Sequence, residues 1–183
     1  MRRALFLDRD GIVDELVYYE SSDEWESPRN LDDLKMLDAS PLQRFVDAGW
    51  LLFIITNQPS FAKGKTSLEE LHAVQDAVIR ALPVPIAQSY LCFHRSEDQC
   101  ECRKPKPYFL QQAARDFDVD LSASWMVGDQ DSDLLCGRAA GCKVALLENP
   151  RSANKRGNVE PDLRVGSLAE LASALIPTSS ASP

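Results

Sequence analysis

The chain contains no long apolar run. None of its hydrophobic stretches approaches the ~20 residues that a membrane-spanning helix needs. It has no secretory core either. Met1-Arg2-Arg3 leads into only four apolar residues, Ala4-Leu5-Phe6-Leu7, too few for a signal peptide. A cytoplasmic protein with no membrane partner is expected. Positive charge is also in short supply: the net charge is −8. That excludes a general nucleic-acid binder, because such binding rests on phosphate neutralisation. It leaves room for a small anion held by a local basic cluster. Repeats and long linkers are lacking as well. The 183 residues suit one domain over 1–176, with a small polar tail over 177–183 expected to be disordered. The protein is expected to act as a monomer. Its five cysteines are odd in number, and Cys92, Cys100 and Cys102 crowd together. Without a signal peptide, that pattern favours metal binding over a disulfide framework.

What is present is an alternation of strand-like and helical patterns, the mark of an α/β fold with a mainly parallel sheet. Strands are predicted at Ala4 to Asp8, Trp50 to Ile55, Ile86 to Cys92, Ser124 to Val127 and Lys143 to Leu147. Ser40-Pro41 reads as a helix start with Ser as N-cap, ended by Gly49. Capping boxes at Ser67-Leu68-Glu69-Glu70 and Ser167-Leu168-Ala169-Glu170 open two more helices. Pro107 to Phe117 and Ser132 to Ala140 complete the set. Residues 14–35 are acidic, aromatic and irregular, and read as an excursion beside a site. In such sheets ligands bind beyond the C-terminal strand ends. Asp8, Thr56-Asn57, Cys92 and Gly128-Asp129 all fall there.

Asp8 and Asp10 lie two apart, so an extended chain points both at one volume while Arg9 points elsewhere. Gly11 then allows a sharp turn. Paired carboxylates call for a cation or a shared proton. Asp129 could add a further Mg²⁺ ligand from a neighbouring strand. An acidic turn and a dipole-stabilised helix start are the ordinary alternatives for these residues, the latter extending to Asp133. Thr56-Asn57-Gln58 offers a hydroxyl and backbone N–H groups to a phosphoryl oxygen, or is a simple turn. Arg103-Lys104-Pro105-Lys106-Pro107 is either a stiffened anion grip or a solvated basic loop. Cys92, His94, Cys100 and Cys102 make a closed tetrahedral set for a structural Zn²⁺; the alternative is three free thiols and a surface histidine. Cys136 and Cys142 read as packing residues, and His72 as structural or exposed.

Asp8-Arg9-Asp10-Gly11, Thr56-Asn57-Gln58, the Cys-x-His…Cys-x-Cys-Arg103-Lys104-Pro105 loop and Gly128-Asp129-x-x-x-Asp133 together resemble the haloacid dehalogenase superfamily. Over residues 4 to 147 the chain is similar to its small-capped branch of heptose bisphosphate and histidinol-phosphate phosphatases. The resemblance implies a Rossmann-like fold with a minimal cap and a Mg²⁺-dependent phosphomonoesterase. It makes Asp8 the nucleophile and Asp10 the general acid and base, whose carbonyl also binds Mg²⁺. Thr56 and Lys104 hold the phosphoryl group, and Arg103, with Asn57 and Gln58, meets the substrate. Asp129 is the further Mg²⁺ ligand, and Cys92, His94, Cys100 and Cys102 hold zinc. The segment Asn57 to Lys65 looks like the heptose branch; the short His94–Cys100 spacing is more like the histidinol branch. The expected reaction is removal of the 7-phosphate from a heptose 1,7-bisphosphate, a small sugar phosphate. The alternatives are a histidinol-phosphate phosphatase and a non-catalytic zinc-stapled binding module.

Overall fold

The computed structural model describes residues 1–176; the tail expected to be disordered lies outside them. Strand β1 (Ala4–Leu7) is an apolar run with alternate residues on opposite faces. It pairs in parallel with β4 (Leu51–Asn57) on one side and β6 (Trp125–Gly128) on the other. The strands β5 (Gln88–Cys92), β7 (Lys143–Leu147) and β8 (Leu163–Val165) extend this sheet. The order is β5-β4-β1-β6-β7-β8, and every pairing in it is parallel. The chain therefore leaves β1 toward β4 and later crosses back to β6, which makes the end of β1 a topological switch point.

Period-two alternation divides the core into two layers. Leu5, Leu7, Leu52, Ile54 and Val127 face one side. There they meet Phe45 of α1 (Gln43–Asp47), Val74 and Val78 of α2 (Leu68–Ala81), and Leu171 of α5 (Leu168–Leu175). Ala4, Phe6, Phe53, Ile55 and Met126 face the other side. They pack on Leu110 and Ala113 of α3 (Tyr108–Phe117) and on Leu134 and Cys136 of α4 (Asp131–Ala140). Strands covered on both faces read as continuous apolar runs, as β1 and β4 do.

Three local expectations change. Ser40 is not the N-cap of its helix. Asp38 Oδ1 accepts the Ser40 N–H at 2.9 Å, and a 3₁₀ turn over Ser40–Leu42 precedes α1. At α5, Ser167 Oγ caps Glu170 N, but the Glu170 carboxylate reaches back to Gly166 N rather than to Ser167. The capping box is thus shifted by one residue on that arm. The excursion over 14–35 is not wholly irregular. It carries an antiparallel hairpin of β2 (Val17–Tyr19) and β3 (Glu24–Glu26), with Tyr18 opposite Trp25 and their rings 5.5 Å apart.

Candidate active site

Parallel pairing aligns the C-terminal ends of β4, β1 and β6, so residues 8, 56 and 129 meet across three strands. Asp8 follows β1, with its N–H donated to Val127 O at 2.9 Å. Gly11 turns the chain at φ +88°, and a Cβ there would overlap the Asp129 carboxylate. A side chain at Gly128 would likewise overlap Asp133. Both glycines are where neighbouring carboxylates come close to backbone.

Lys104 is the buried cation of the site. Its Nζ lies 2.7 Å from Asp8 Oδ1, 2.7 Å from Asp133 Oδ1, and donates to Ile55 O at 2.8 Å. Three acceptors match the three ammonium protons. Burial works against that charge, but the Asp133 and Asp8 carboxylates outweigh it and raise the Lys104 pKa. Burial also holds the Asp8 carboxyl well above the usual range; Lys104 opposes this, while Asp133, Asp10 and Asp129 reinforce it. Asn57 fixes the lysine from behind. Its amide accepts from Lys104 N at 3.1 Å and donates to Lys104 O at 3.2 Å.

Asp129 is fully buried and neither of its carboxylate oxygens has a hydrogen-bond partner. Burial, helped by the adjacent Asp133, pushes its carboxyl up to about 7. Asp8, Asp129 and Asp133 can each present an oxygen within 4.8 Å of the others. A buried, unpartnered carboxylate among hard oxygen donors fits a divalent cation of the Mg²⁺ type. Asp133 is otherwise engaged: one oxygen meets Lys104 and the other accepts from Gln130 N at 3.1 Å.

Asp10 is held differently. Its Oδ1 accepts from Arg9 Nη2 at 2.7 Å and Nε at 3.2 Å. Its Oδ2 accepts from Gln58 Nε2 at 2.6 Å and Thr56 Oγ1 at 3.1 Å. Arg9 does turn away from the site and is wholly buried, yet its guanidinium folds back onto Asp10. Its Nη1 donates to Gln75 Oε1 of α2 at 3.1 Å, and its Nε, shared with Asp10, lies 3.4 Å from Asp14 Oδ2. Gln58 is buried with its amide on Asp10 and Thr56, whereas Asn57 reaches the cavity. The single sequence carries no periodic or motif signal for Arg9 and Gln75 as a pair.

Cys92, His94, Cys100 and Cys102 converge beside this centre. The recorded separations among their Sγ atoms and the His94 Nδ1 run from 3.3 to 3.7 Å. Bonds of about 2.3 Å to sulfur, set tetrahedrally, give edges of about 3.7 Å. The four residues are therefore spaced for one metal ion. Arg103 Nη1 donates to His94 O at 3.0 Å, and Gln58 N donates to Cys92 O at 2.7 Å. The cluster is thereby joined to both the basic loop and the Asp10 network. Cys136 and Cys142 are core residues away from the cluster.

A cavity of about 320 Å³ opens onto Asp8, Asp10, Asn57, Arg103 and Lys104. It is also lined by Glu24 and Glu26 of β3, by Lys63, and by Lys155 from the 3₁₀ turn Pro150–Lys155. Sequence reading did not single out this turn, although Asn149 as cap with Pro150 next is a start signal.

Fold and site together define a haloacid dehalogenase-like hydrolase, and the HAD-hydrolase-like family model matches residues 101–178. The D-glycero-beta-D-manno-heptose-1,7-bisphosphate 7-phosphatase of Pseudomonas aeruginosa is 33% identical, over 96% of this chain and 98% of that protein. The enzyme of that name from Helicobacter pylori is 33% identical over 81% and 86%. The crystal structure of D,D-heptose 1,7-bisphosphate phosphatase from Bordetella bronchiseptica, complexed with magnesium and phosphate, superposes with a TM-score of 0.78. It is 30% identical and covers 94% of this chain and 97% of its own. The chain belongs to the D-glycero-D-manno-heptose-1,7-bisphosphate 7-phosphatase family of these hydrolases.

Proposed function

We propose that this chain is a Mg²⁺-dependent phosphomonoesterase that removes the 7-phosphate of a D-glycero-D-manno-heptose 1,7-bisphosphate. The observation that carries the reading is Lys104 Nζ seated between Asp8 and Asp133, beside the unpartnered Asp129. An Asp8 oxygen attacks phosphorus in line, and the bond to the sugar oxygen breaks. Asp10 gives its proton to that leaving oxygen. Asp10 then takes a proton from water, which attacks the aspartyl-phosphate and frees Asp8 and inorganic phosphate. Splitting the displacement in two replaces one hard step by two easier ones. To reach the leaving oxygen, the Asp10 carboxyl turns from Gln58 and Thr56, which frees the Thr56 hydroxyl for a phosphoryl oxygen. Lys104 stays on Asp8 and neutralises charge where it develops.

Asp8, Asp129 and the Asp10 carbonyl would hold Mg²⁺, which supplies charge neutralisation on the phosphoryl oxygens. The four Cys and His residues hold one structural Zn²⁺, which keeps Arg103 and Lys104 in place. The enzyme is a single domain over 1–176, acts as a cytoplasmic monomer, and meets its sugar phosphate through Arg103 and Asn57. No helix among the described residues is long and apolar enough to cross a membrane.

The test is phosphate release from both anomers of heptose 1,7-bisphosphate and from histidinol phosphate. Heptose bisphosphate turnover should dominate and should require Mg²⁺. Asp8→Asn should lower kcat by roughly 1,000-fold or more. Normal release by that variant, or faster turnover of histidinol phosphate, would refute the reading.

A further inference from the structure

Helix α2 carries a polar residue in its buried stripe. Leu71, Val74, Gln75 and Val78 are its buried positions, the i, i+3, i+4, i+7 set of one helix face. Val74 and Val78 pack in the layer that holds Leu5 and Leu7 of β1. Gln75 reaches Arg9 instead, and its Oε1 accepts from Arg9 Nη1 at 3.1 Å. Its Nε2 has no hydrogen-bond partner. A buried amide left half unmade costs stability, so the packing of α2 does not account for it.

The geometry around Arg9 does. Its side chain is wholly buried and ends in a rigid planar fork. Nη2 and Nε both donate to Asp10 Oδ1, at 2.7 and 3.2 Å. Nε also lies 3.4 Å from Asp14 Oδ2, and neither Asp14 oxygen has a hydrogen-bond partner. Two carboxylates thus compete for one edge of the fork, while Gln75 holds it from Nη1. With Nη1 fixed, the plane is kept from swinging off Asp10 toward Asp14. The two oxygens of Asp10 are thereby made unequal. Oδ1 faces two guanidinium donors, which leave no room for a proton. Oδ2 meets the neutral Gln58 Nε2 and Thr56 Oγ1, at 2.6 and 3.1 Å, and a hydroxyl can accept as well as donate.

We propose that Gln75 is a positioning residue, which acts through Arg9 to hold Asp10 with Oδ2 as the oxygen that passes a proton to the leaving group. This rests on the phosphatase reading above. The step it serves is cleavage of the bond from phosphorus to the ester oxygen, in which the proton moves from Asp10 Oδ2 to that oxygen. Gln75 does not line the cavity, so its effect falls on proton transfer and not on substrate contact.

The experiment compares kcat/KM, which reports steps up to the aspartyl-phosphate, for esters that do and do not need a proton on the leaving oxygen. Heptose 1,7-bisphosphate and phenyl phosphate need one. The leaving group of 2,4-dinitrophenyl phosphate departs as a stable anion and does not. Gln75→Met fills a similar volume without an acceptor. It should lower kcat/KM about tenfold for the first two esters, a part of the ~10²–10⁴-fold that general acid catalysis contributes, and change the dinitrophenyl ester by less than about twofold. Gln75→Glu keeps an acceptor for Arg9 and should restore most of the loss. Equal loss on every ester, which marks a merely structural residue, overturns the proposal, and so does no loss on any. A Gln75→Glu variant as selectively impaired as Gln75→Met overturns it too. The two aryl esters do not depend on the heptose. Selective loss on phenyl phosphate upholds the positioning role even if heptose bisphosphate is not turned over and the substrate reading fails. Unselective loss in an enzyme whose wild type turns over heptose bisphosphate overturns the role of Gln75 alone.

Discussion

Asp129→Asn should make the Mg²⁺-free protein more stable at neutral pH, although it removes a proposed metal ligand. Burial and the adjacent Asp133 raise the Asp129 carboxyl from 3.8 to about 7. Its folded pKa thus lies above the unfolded one. Between these values the folded protein keeps a proton that the unfolded chain has released, so stability falls as pH rises through that window. By pH 7.5 the cost amounts to about 4 kcal/mol, and at pH 5 to less than about 2 kcal/mol. Asparagine has the same shape and never ionises, but its buried amide leaves hydrogen bonds unmade at a cost of about 1–3 kcal/mol. The net gain at pH 7.5 is about 1–3 kcal/mol, or roughly 3–10 °C in melting temperature for a chain of this size. The gain should vanish or reverse at pH 5. The assay is thermal melting after dialysis without chelator, so that zinc is retained. Added Mg²⁺ should raise the melting temperature of the wild type by mass action and leave that of Asp129→Asn unmoved. A variant no more stable than wild type at pH 7.5, or a difference that is the same at both pH values, would refute the reasoning.

Lys104→Met should abolish turnover and also lower stability by about 3–5 kcal/mol, because Asp8 and Asp133 lose their buried partner; denaturant titration alongside kinetics shows both. Gly11→Ala places a methyl against Asp129 at a positive φ, and should lower melting temperature and Mg²⁺ affinity together, as read by melting and by the Mg²⁺ dependence of kcat. Metal analysis should find about one tightly held zinc per chain. Cys100→Ser should lose it with a drop in melting temperature, and a fully folded, zinc-free wild type would count against the cluster's role.

The sheet was legible because its strands are buried on both faces. A run such as Trp50 to Ile55 has no period to confuse, and the turn residues after it mark its end. The site was legible for a related reason: a parallel sheet sends every chemical residue to the same edge, so Asp8, Thr56 and Asp129 could be assembled without knowing the strand order. The hairpin over Val17–Glu26 was not legible. Its connecting turn uses Asp23 at φ 52° rather than a glycine, and its stability comes from contacts distant in sequence, Trp25 with Arg151 and Glu26 with Lys65. The three-residue β8 is too short to show alternation. Arg9 was read only as pointing away from the site. That it grips Asp10 depends on Gln75, sixty-six residues away, and no local pattern encodes that distance.

The division of labour among the carboxylates follows from counting cations. Five buried carboxylates, Asp8, Asp10, Asp14, Asp129 and Asp133, face two buried cations, Arg9 and Lys104. Arg9 is committed to Asp10 and Asp14, and Lys104 to Asp8 and Asp133. Asp10 gains two neutral donors as well, from Thr56 and Gln58. Every carboxylate but one is thus assigned to a protein cation. Asp129 pairs with no protein cation, although it is fully buried and lies against Gly11 and neither of its oxygens has a hydrogen-bond partner. Ionising Asp129 therefore puts unmatched negative charge at this point, which neither Arg9 nor Lys104 can relieve without abandoning Asp10 or Asp8. A small divalent cation relieves it without displacing either, and leaves Lys104 free to remain on Asp8, the proposed nucleophile.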